Sequence, residues 1–362
     1  MNVFCVNCGK AYPEQGVVYR CVSCGGLFDY RDILPYQGEI LQKGLGIWRF
    51  SPNFGLPEQI PQVSLGEGDT PLVWTDVNGR RIAFKCEFLN PTGSFKDRGS
   101  AVIAGFLSSR GVRNAVEDSS GNAGASIAAY TARAGIKVMI FVPDTTSGPK
   151  MKQIEAYGAE IVPVPGARSN ASAAVQHAAK QGLVYASHAY LPFNLPGYAT
   201  ITYELFDQLG TAPGTVICPV GQGGLLLGIG RGFLALQRAG IISRFPLLVG
   251  IQASACAPLW AAFAYGHAGL QFVTERETVA EGIRVSAPLR GDEILRFVET
   301  RGGFFVAVDD ADIVKGRDEL AKRGFYVETT SAVIWQVLLT HSPRLLDPIV
   351  VILTGSGLKN VL

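Results

Sequence analysis

The sequence carries little charge and almost no excess of either sign. Charged residues fill 17% of its 362 positions, 32 Lys and Arg against 30 Asp and Glu. A net charge of +2 supplies no basic field for nucleic acid. Long apolar runs are missing as well. The richest stretch, "LLLGIGRGFLAL" (225–236), is interrupted by Arg231 and is too short to cross about 30 Å of hydrocarbon. No membrane partner is therefore expected. The opening residues, "MNVFCVNCGK", lack the apolar core of a secretory signal, so a cytoplasmic, reducing setting is expected. Internal repeats and low-complexity tracts are absent too. What the chain has in quantity is apolar residues, 48%, and glycine, 43 residues. The first argues against disorder. The second points to tight turns and close backbone approach to a ligand. The length allows two domains of roughly 100–200 residues each.

Four of the seven cysteines form two knuckles, "CVNC" (Cys5, Cys8) and "CVSC" (Cys21, Cys24), separated by 12 residues and each followed by glycine. Each knuckle aims two thiolates at one point. Together they supply the four soft ligands that tetrahedral zinc takes. A closed four-thiolate site has no open position, so its role would be structural. Two disulfides or four free thiols are the alternatives, and a reducing compartment favours the metal. Cys86, Cys218 and Cys256 have no partner knuckle and read as small buried residues. After this ribbon-like segment (1–30) comes a connector rich in Gly and Pro (33–61).

From about residue 63 apolar runs alternate with helical segments. Strands are expected at 81–88, 115–118, 137–143, 159–165, 215–220, 246–253, 304–310 and 348–355. Helices are expected at 96–111, 122–135, 149–158 and 170–182. Continuous apolar strands such as "TVICPV" suit parallel sheets covered on both faces. The alternation argues for an α/β fold, whose ligands sit beyond the carboxyl ends of the strands.

Four motifs fall at such positions. In "NPTGSFKDRG" (90–99), Lys96 opens a helix after turn-forming residues. A helix start and a dry site both favour a neutral amine able to attack an aldehyde, whereas a solvated lysine paired with Asp97 is the plainer alternative. In "SSGNAGAS" (119–126), Ser119, Ser120, Gly121, Asn122 and Ala123 open a helix whose N–H groups could meet an anion; Asn122 could also simply cap that helix. In "PVGQGGLLLG" (219–228), Gly221, Gln222, Gly223, Gly224 and Leu225 lead from a strand into a helix, as a phosphate-wrapping loop would. The loop lacks the Lys-Ser/Thr of a P-loop, and Leu226 breaks the dinucleotide pattern, so a smaller phosphorylated ligand fits better. In "ILTGSG" (352–357), Thr354 ends a strand with a hydroxyl that could face a ring nitrogen.

These motifs, with "SLGEGDTPL" (64–72) and "VETTSA" (327–332), resemble in type and order the fold-type II pyridoxal-phosphate enzymes, and threonine synthases above all. The likeness covers nearly the whole chain, and the cysteine knuckles also occur in many threonine synthases. It implies two mainly parallel-sheet α/β domains: a large one from 31–97 and 195–362, and a small mobile one from 98–194, with the cofactor between them. It implies that Lys96 binds pyridoxal 5'-phosphate and moves protons at the substrate carbons. Asn122 would meet the cofactor's phenolic oxygen, Gly221, Gln222, Gly223, Gly224 and Leu225 its phosphate, and Thr354 its ring nitrogen. Ser119, Ser120, Gly121 and Ala123 would hold the carboxylate of an amino-acid substrate. A homodimer is usual in the family. The implied reaction takes O-phospho-L-homoserine and water to L-threonine and phosphate.

The pattern departs from the family in two places. Ala123 stands where many threonine synthases have Thr, and Asn194 where many have a phosphate-gripping Arg. Arg168, Lys150, Lys152, Arg284 and His188 are the cations that could replace it. These departures keep two further readings open: a serine/threonine dehydratase, or an enzyme of β-replacement on O-phosphoserine, as cysteate synthases are. A non-catalytic ligand sensor, or a zinc-ribbon binding module on an enzyme-like body, is the reading from outside enzymology.

Overall fold

The computed structural model describes residues 2–38, 46–57 and 60–359; the connector positions 39–45 and 58–59 lie outside the described residues. In chain order the strands are β1 (Val3–Cys5), β2 (Phe28–Tyr30), β3 (Leu72–Val77), β4 (Arg80–Lys85), β5 (Asn114–Glu117), β6 (Lys137–Pro143), β7 (Glu160–Val164), β8 (Val184–Tyr185), β9 (Thr215–Pro219), β10 (Leu247–Ala253), β11 (Phe304–Val308) and β12 (Ile349–Ile352). The helices are α1 (Lys96–Ser109), α2 (Asn122–Arg133), α3 (Pro149–Ala156), α4 (Arg168–Lys180), α5 (Asn194–Leu209), α6 (Gly224–Arg238), α7 (Pro258–Tyr265), α8 (Gly291–Glu299), α9 (Asp310–Lys322), α10 (Thr329–Ala332) and α11 (Trp335–Thr340). The chain divides into two compact units.

The first unit draws its described residues from Met1–Gly68 and Asn90–Gly197. Its main sheet has the order β7-β6-β5-β8, parallel throughout. The chain moves outward from β5 through β6 to β7, then returns to place β8 on the other side of β5. The order therefore reverses at the β5–β8 pair, which makes that pair the topological switch point. α1 and α2 bury nearly all of their small and apolar residues. Gly197 lets the start of α5 approach α1 closely, since a Cβ there would sit 2.1 Å from the Arg98 carbonyl. The ribbon is a small antiparallel pair, β1 with β2. Its Tyr12 ring packs edge-on against Phe106 of α1 and against Phe193. The guanidinium of Arg110, at the end of α1, donates to the carbonyl of Pro13 at 3.0 Å. Part of the connector forms a 3-10 helix, Gly46–Phe54, which buries Ile47, Trp48, Phe50 and Phe54.

The second unit draws on Asp69–Leu89 and Tyr198–Lys359. Its sheet runs β11-β10-β9-β12-β4-β3, parallel except for the edge pair β3–β4. β9 and β12 are buried along their whole length, as continuous apolar strands covered on both faces should be. The core gathers Phe84, Ile217, Val249, Ile251 and Val351 of the sheet with Ile313, Leu320 and Trp335 of the helices. Each such side chain contributes roughly 1.5–3 kcal/mol on burial. β3 and β4 are joined at Asn78 and Gly79, both at positive φ (54° and 76°), which matches a two-residue hairpin turn. The buried Lys85 ammonium pairs with Glu204 of α5 at 2.6 Å and donates to the Thr70 carbonyl.

No helix among the described residues is long and apolar enough to cross a membrane.

Candidate active site

In the first unit, Lys96 is the first residue of α1. Its Nζ lies 4.9 Å from the centroid of the Phe95 ring. The neighbouring Asp97 is fully buried and turned inward. Its Oδ2 accepts from the Thr92 N–H at 2.7 Å, and its Oδ1 from the hydroxyls of Thr92 and Ser126, both at 2.6 Å. Asp97 thus ties the turn before α1 to the first turns of α2. The lysine loop and the "SSGNAGAS" loop are thereby held as one piece.

The second loop follows β5 directly. The cap of α2 is Gly121, with no side-chain cap, and Asn122 is the first helical residue. The plain capping role for Asn122 is therefore not what forms. Gly121 N–H is turned to the Ser119 hydroxyl at 3.3 Å. Gly124 is indispensable to this packing, because a Cβ there would lie 1.7 Å from the Ser119 carbonyl oxygen. Ala123 is buried in the first turn of α2. Helix starts of this kind present N–H groups to a carboxylate.

The residues just before this loop were not singled out from the sequence. Glu117, the last residue of β5, is 0% exposed. Its Oε1 lies 2.7 Å from Nδ1 of His188, which follows β8. Asp118 accepts from the Arg168 guanidinium at 2.8 Å and from the Tyr185 hydroxyl at 2.6 Å. Burial pushes the Glu117 carboxyl well above the usual carboxylate range; Asp118 adds to this, while Arg168 and Lys96 oppose it. Burial, then the charges of Lys96 and Arg168, hold the His188 imidazole well below its usual value. A 2.7 Å contact has the geometry of an ion pair, yet burial disfavours both charges. One shared proton reconciles the two: the pair is neutral overall whichever atom carries it. The sequence shows only an acid at the end of an apolar strand, two residues before the turn-forming "SSGN"; its burial comes from the fold.

The cations weighed as replacements for the missing arginine fare differently. Arg168 is held by Asp118, Arg284 lies 3.7 Å from Glu275 at the surface of the second unit, and Lys150 and Lys152 open α3. Asn194 is buried, and its Nδ2 donates to the His188 carbonyl, so its amide braces the histidine loop.

In the second unit, the two proposed cofactor contacts lie at the carboxyl ends of neighbouring strands. Gly221, Gln222, Gly223, Gly224 and Leu225 follow β9, and Thr354 follows β12, which pairs with β9. Gly223 caps α6 at φ +78°, and no side chain caps the helix. The backbone donors of its first turn are therefore left for an anion. The Gln222 Oε1 accepts from the Leu289 N–H at 3.1 Å, which turns that side chain toward another loop. A Cβ on Gly221 would approach Ile283 Cα to 3.0 Å. Thr354 is buried, with its hydroxyl 2.9 Å from that of Ser331. An uncapped helix start beside a strand-end hydroxyl fits a phosphorylated ring with a neutral nitrogen partner.

Comparison with known proteins decides the family. The model of the pyridoxal-phosphate dependent enzymes matches residues 63–355. The chain belongs to this family. Within it, the threonine synthase of Methanocaldococcus jannaschii is 34% identical over 98% of this chain and 92% of its own. That of Methanosarcina acetivorans is 31% identical, over 91% and 84%. Among solved structures, a threonine deaminase from T.th. superposes with a TM-score of 0.68 at 26% identity, over 79% of this chain and 92% of that one. Maize serine racemase, at 21% identity and a TM-score of 0.70 over 81% and 89%, shares the fold. The family match stops short of the ribbon, whereas the M. jannaschii relative is covered nearly end to end.

The four ribbon thiols are free, and their sulfurs all lie within 4.8 Å of one another. Cys5 and Cys24 are 3.4 Å apart and Cys8 and Cys21 3.7 Å. These separations exclude the disulfide alternative, since bonded sulfurs sit about 2.05 Å apart. They approach the edge of a tetrahedron with metal–sulfur bonds of about 2.3 Å. The cluster can hold a metal ion.

Proposed function

We propose that this protein is a threonine synthase, a carbon–oxygen lyase that takes O-phospho-L-homoserine and water to L-threonine and phosphate. The observation that carries the reading is the likeness to threonine synthases over nearly the full chain, 34% over 98% of it, with Lys96 at the head of α1. Lys96 is the residue we assign to hold the cofactor aldehyde and to move protons at the substrate carbons. Asn122 would meet the phenolic oxygen, Gly221, Gln222, Gly223, Gly224 and Leu225 the phosphate, and Thr354 the ring nitrogen. Ser119, Ser120, Gly121 and Ala123 would hold the substrate carboxylate. When bound, pyridoxal phosphate supplies the electron sink for carbon-centred charge; a neutral Thr partner makes that sink milder than an acidic one would. Cys5, Cys8, Cys21 and Cys24 would hold a structural Zn2+, which the all-thiolate donor set favours. A cytoplasmic homodimer completes the reading.

Purified holoenzyme offered O-phosphohomoserine, O-phosphoserine, serine and threonine in parallel tests it. Release of phosphate with equimolar threonine from the first substrate alone is expected, and K96A should lose both that activity and the visible absorbance of the lysine-bound cofactor. Keto-acid formation from serine or threonine as the dominant reaction would assign the protein to the dehydratases, the reading to which Ala123 and Asn194 lend support.

A further inference from the structure

We propose that Glu117 and His188 form a one-proton acid–base dyad serving the reacting atoms beside Lys96, a second proton-transfer group in addition to the lysine. The proposal rests on the reading of Lys96 as the reactive amine.

Position is the first argument. Glu117 ends β5, and His188 lies just beyond β8. These neighbouring strands form the switch point of the first unit's sheet, where open α/β sheets take their ligands. Glu117 also lies two residues before Ser119, the start of the proposed carboxylate loop. Geometry is the second argument. The 2.7 Å contact to Nδ1 fixes the imidazole ring, as the carboxylate does in a nucleophilic triad. Nδ1 is occupied, and Nε2 takes no partner among the described residues on a side chain that stays 17% exposed. The other carboxyl oxygen, Oε2, is buried without a hydrogen-bond partner among the described residues. A purely structural tie would normally satisfy that oxygen. Charge is the third. The groups around the dyad are Asp118 from the same loop, Arg168 from α4, Tyr185 from β8 and Lys96 from α1. Asp118 and Arg168 neutralise each other. Lys96 is close enough for its charge to act on both members of the dyad.

The dyad balances the proposed reaction. As the carbon–oxygen bond to phosphate breaks, the bonding pair leaves with the phosphate oxygen. The dyad gives that oxygen its proton through Nε2 and passes from one proton to none. As a water oxygen then bonds to carbon with its lone pair, one water O–H bond breaks. That proton returns to Nε2 and restores the dyad.

The test uses holoenzyme carrying E117Q or H188Q. The amide of E117Q keeps the size and hydrogen bonding of the acid but has no proton to exchange. Two readouts are taken: kcat and KM for O-phosphohomoserine against pH, and the visible absorbance of the lysine-bound cofactor titrated without substrate. A fall in kcat of about 10²-fold or more is expected in both variants, with KM within a few fold and the visible band retained. The titration should lose one step relative to the unaltered enzyme, because coupled groups titrate as a set. Variants whose kcat–pH profile and band titration superpose on the unaltered enzyme would overturn the proposal. So would an activity loss that is uniform with pH and matched by lost thermal stability, the mark of a structural tie. If the unaltered enzyme makes no threonine, the substrate reading fails alone, and the band titration still decides the dyad.

Discussion

Between about pH 4.5 and 6.5, the ordinary values for glutamate and histidine, an unfolded chain keeps one proton on the Glu117–His188 pair, sited on the histidine. The folded pair also keeps one, so it adds no pH dependence to stability there. Above this window the unfolded pair holds none while the folded pair keeps its proton; stability then falls as pH rises, by about 1.4 kcal/mol per unit, until the folded acid ionises. Below the window the unfolded pair holds two, and stability falls as pH drops until the folded histidine protonates. E117Q removes the alkaline limb and, with the histidine left alone, moves the start of the acid limb up to about pH 6.5. Its thermal midpoint should hold level from neutral to mildly alkaline pH where that of the unaltered protein declines, as calorimetry at a series of pH values would show. A lysine in "NPTGSFKDRG" announced itself in the sequence by its turn-forming approach and the helix behind it. Glu117 did not: a lone acid at a strand end looks like a surface charge until the fold shows it buried. His188 was noticed only as a spare cation, because the residue that holds it is 71 positions away.

At the scale of elements, the longer parallel strands and the helices α1 to α4 were legible from their apolar period and the glycines and prolines near their ends; β8, two residues long, was not expected. α5 was not, since Pro196 and Gly197 in its first turn read as a break, although Gly197 is there to permit contact with α1. The β3–β4 hairpin carried an Asn-Gly signal that the apolar pattern alone passed over. The junction of β9 and α6 depends on one residue most of all. Gly223 sits at φ +78°, and a Cβ there would lie 2.2 Å from Ile294 Cδ1. G223A should strain the loop by about 1–2 kcal/mol and displace the donors at the head of α6. Cofactor affinity, followed by absorbance titration of apo-protein, should fall roughly tenfold for each 1.4 kcal/mol so lost. The glycine was legible as a loop; that it also caps the helix was not.

For the whole molecule, the sequence marked a cysteine-bearing segment, a connector and an α/β body, but not where the ribbon docks. It belongs to the first unit, through Tyr12, Phe106 and Phe193. Aromatic contacts between residues 94 and 181 positions apart leave no periodic trace in a chain. Metal analysis should find one zinc per protomer, and a thiol-competing chelator should lower the thermal midpoint by roughly 5–10 °C, since bound metal adds to the folded state only. The docking also has a mechanical side. α1 is a stiff rod about 20 Å long, with Lys96 at its leading end and Phe106 and Arg110 gripped by the ribbon at its trailing end. Opening the sulfur knot therefore unpins the far end of the lever whose tip is Lys96, so that thiol oxidation at Cys8 or Cys24 would be felt as misalignment a full helix length away.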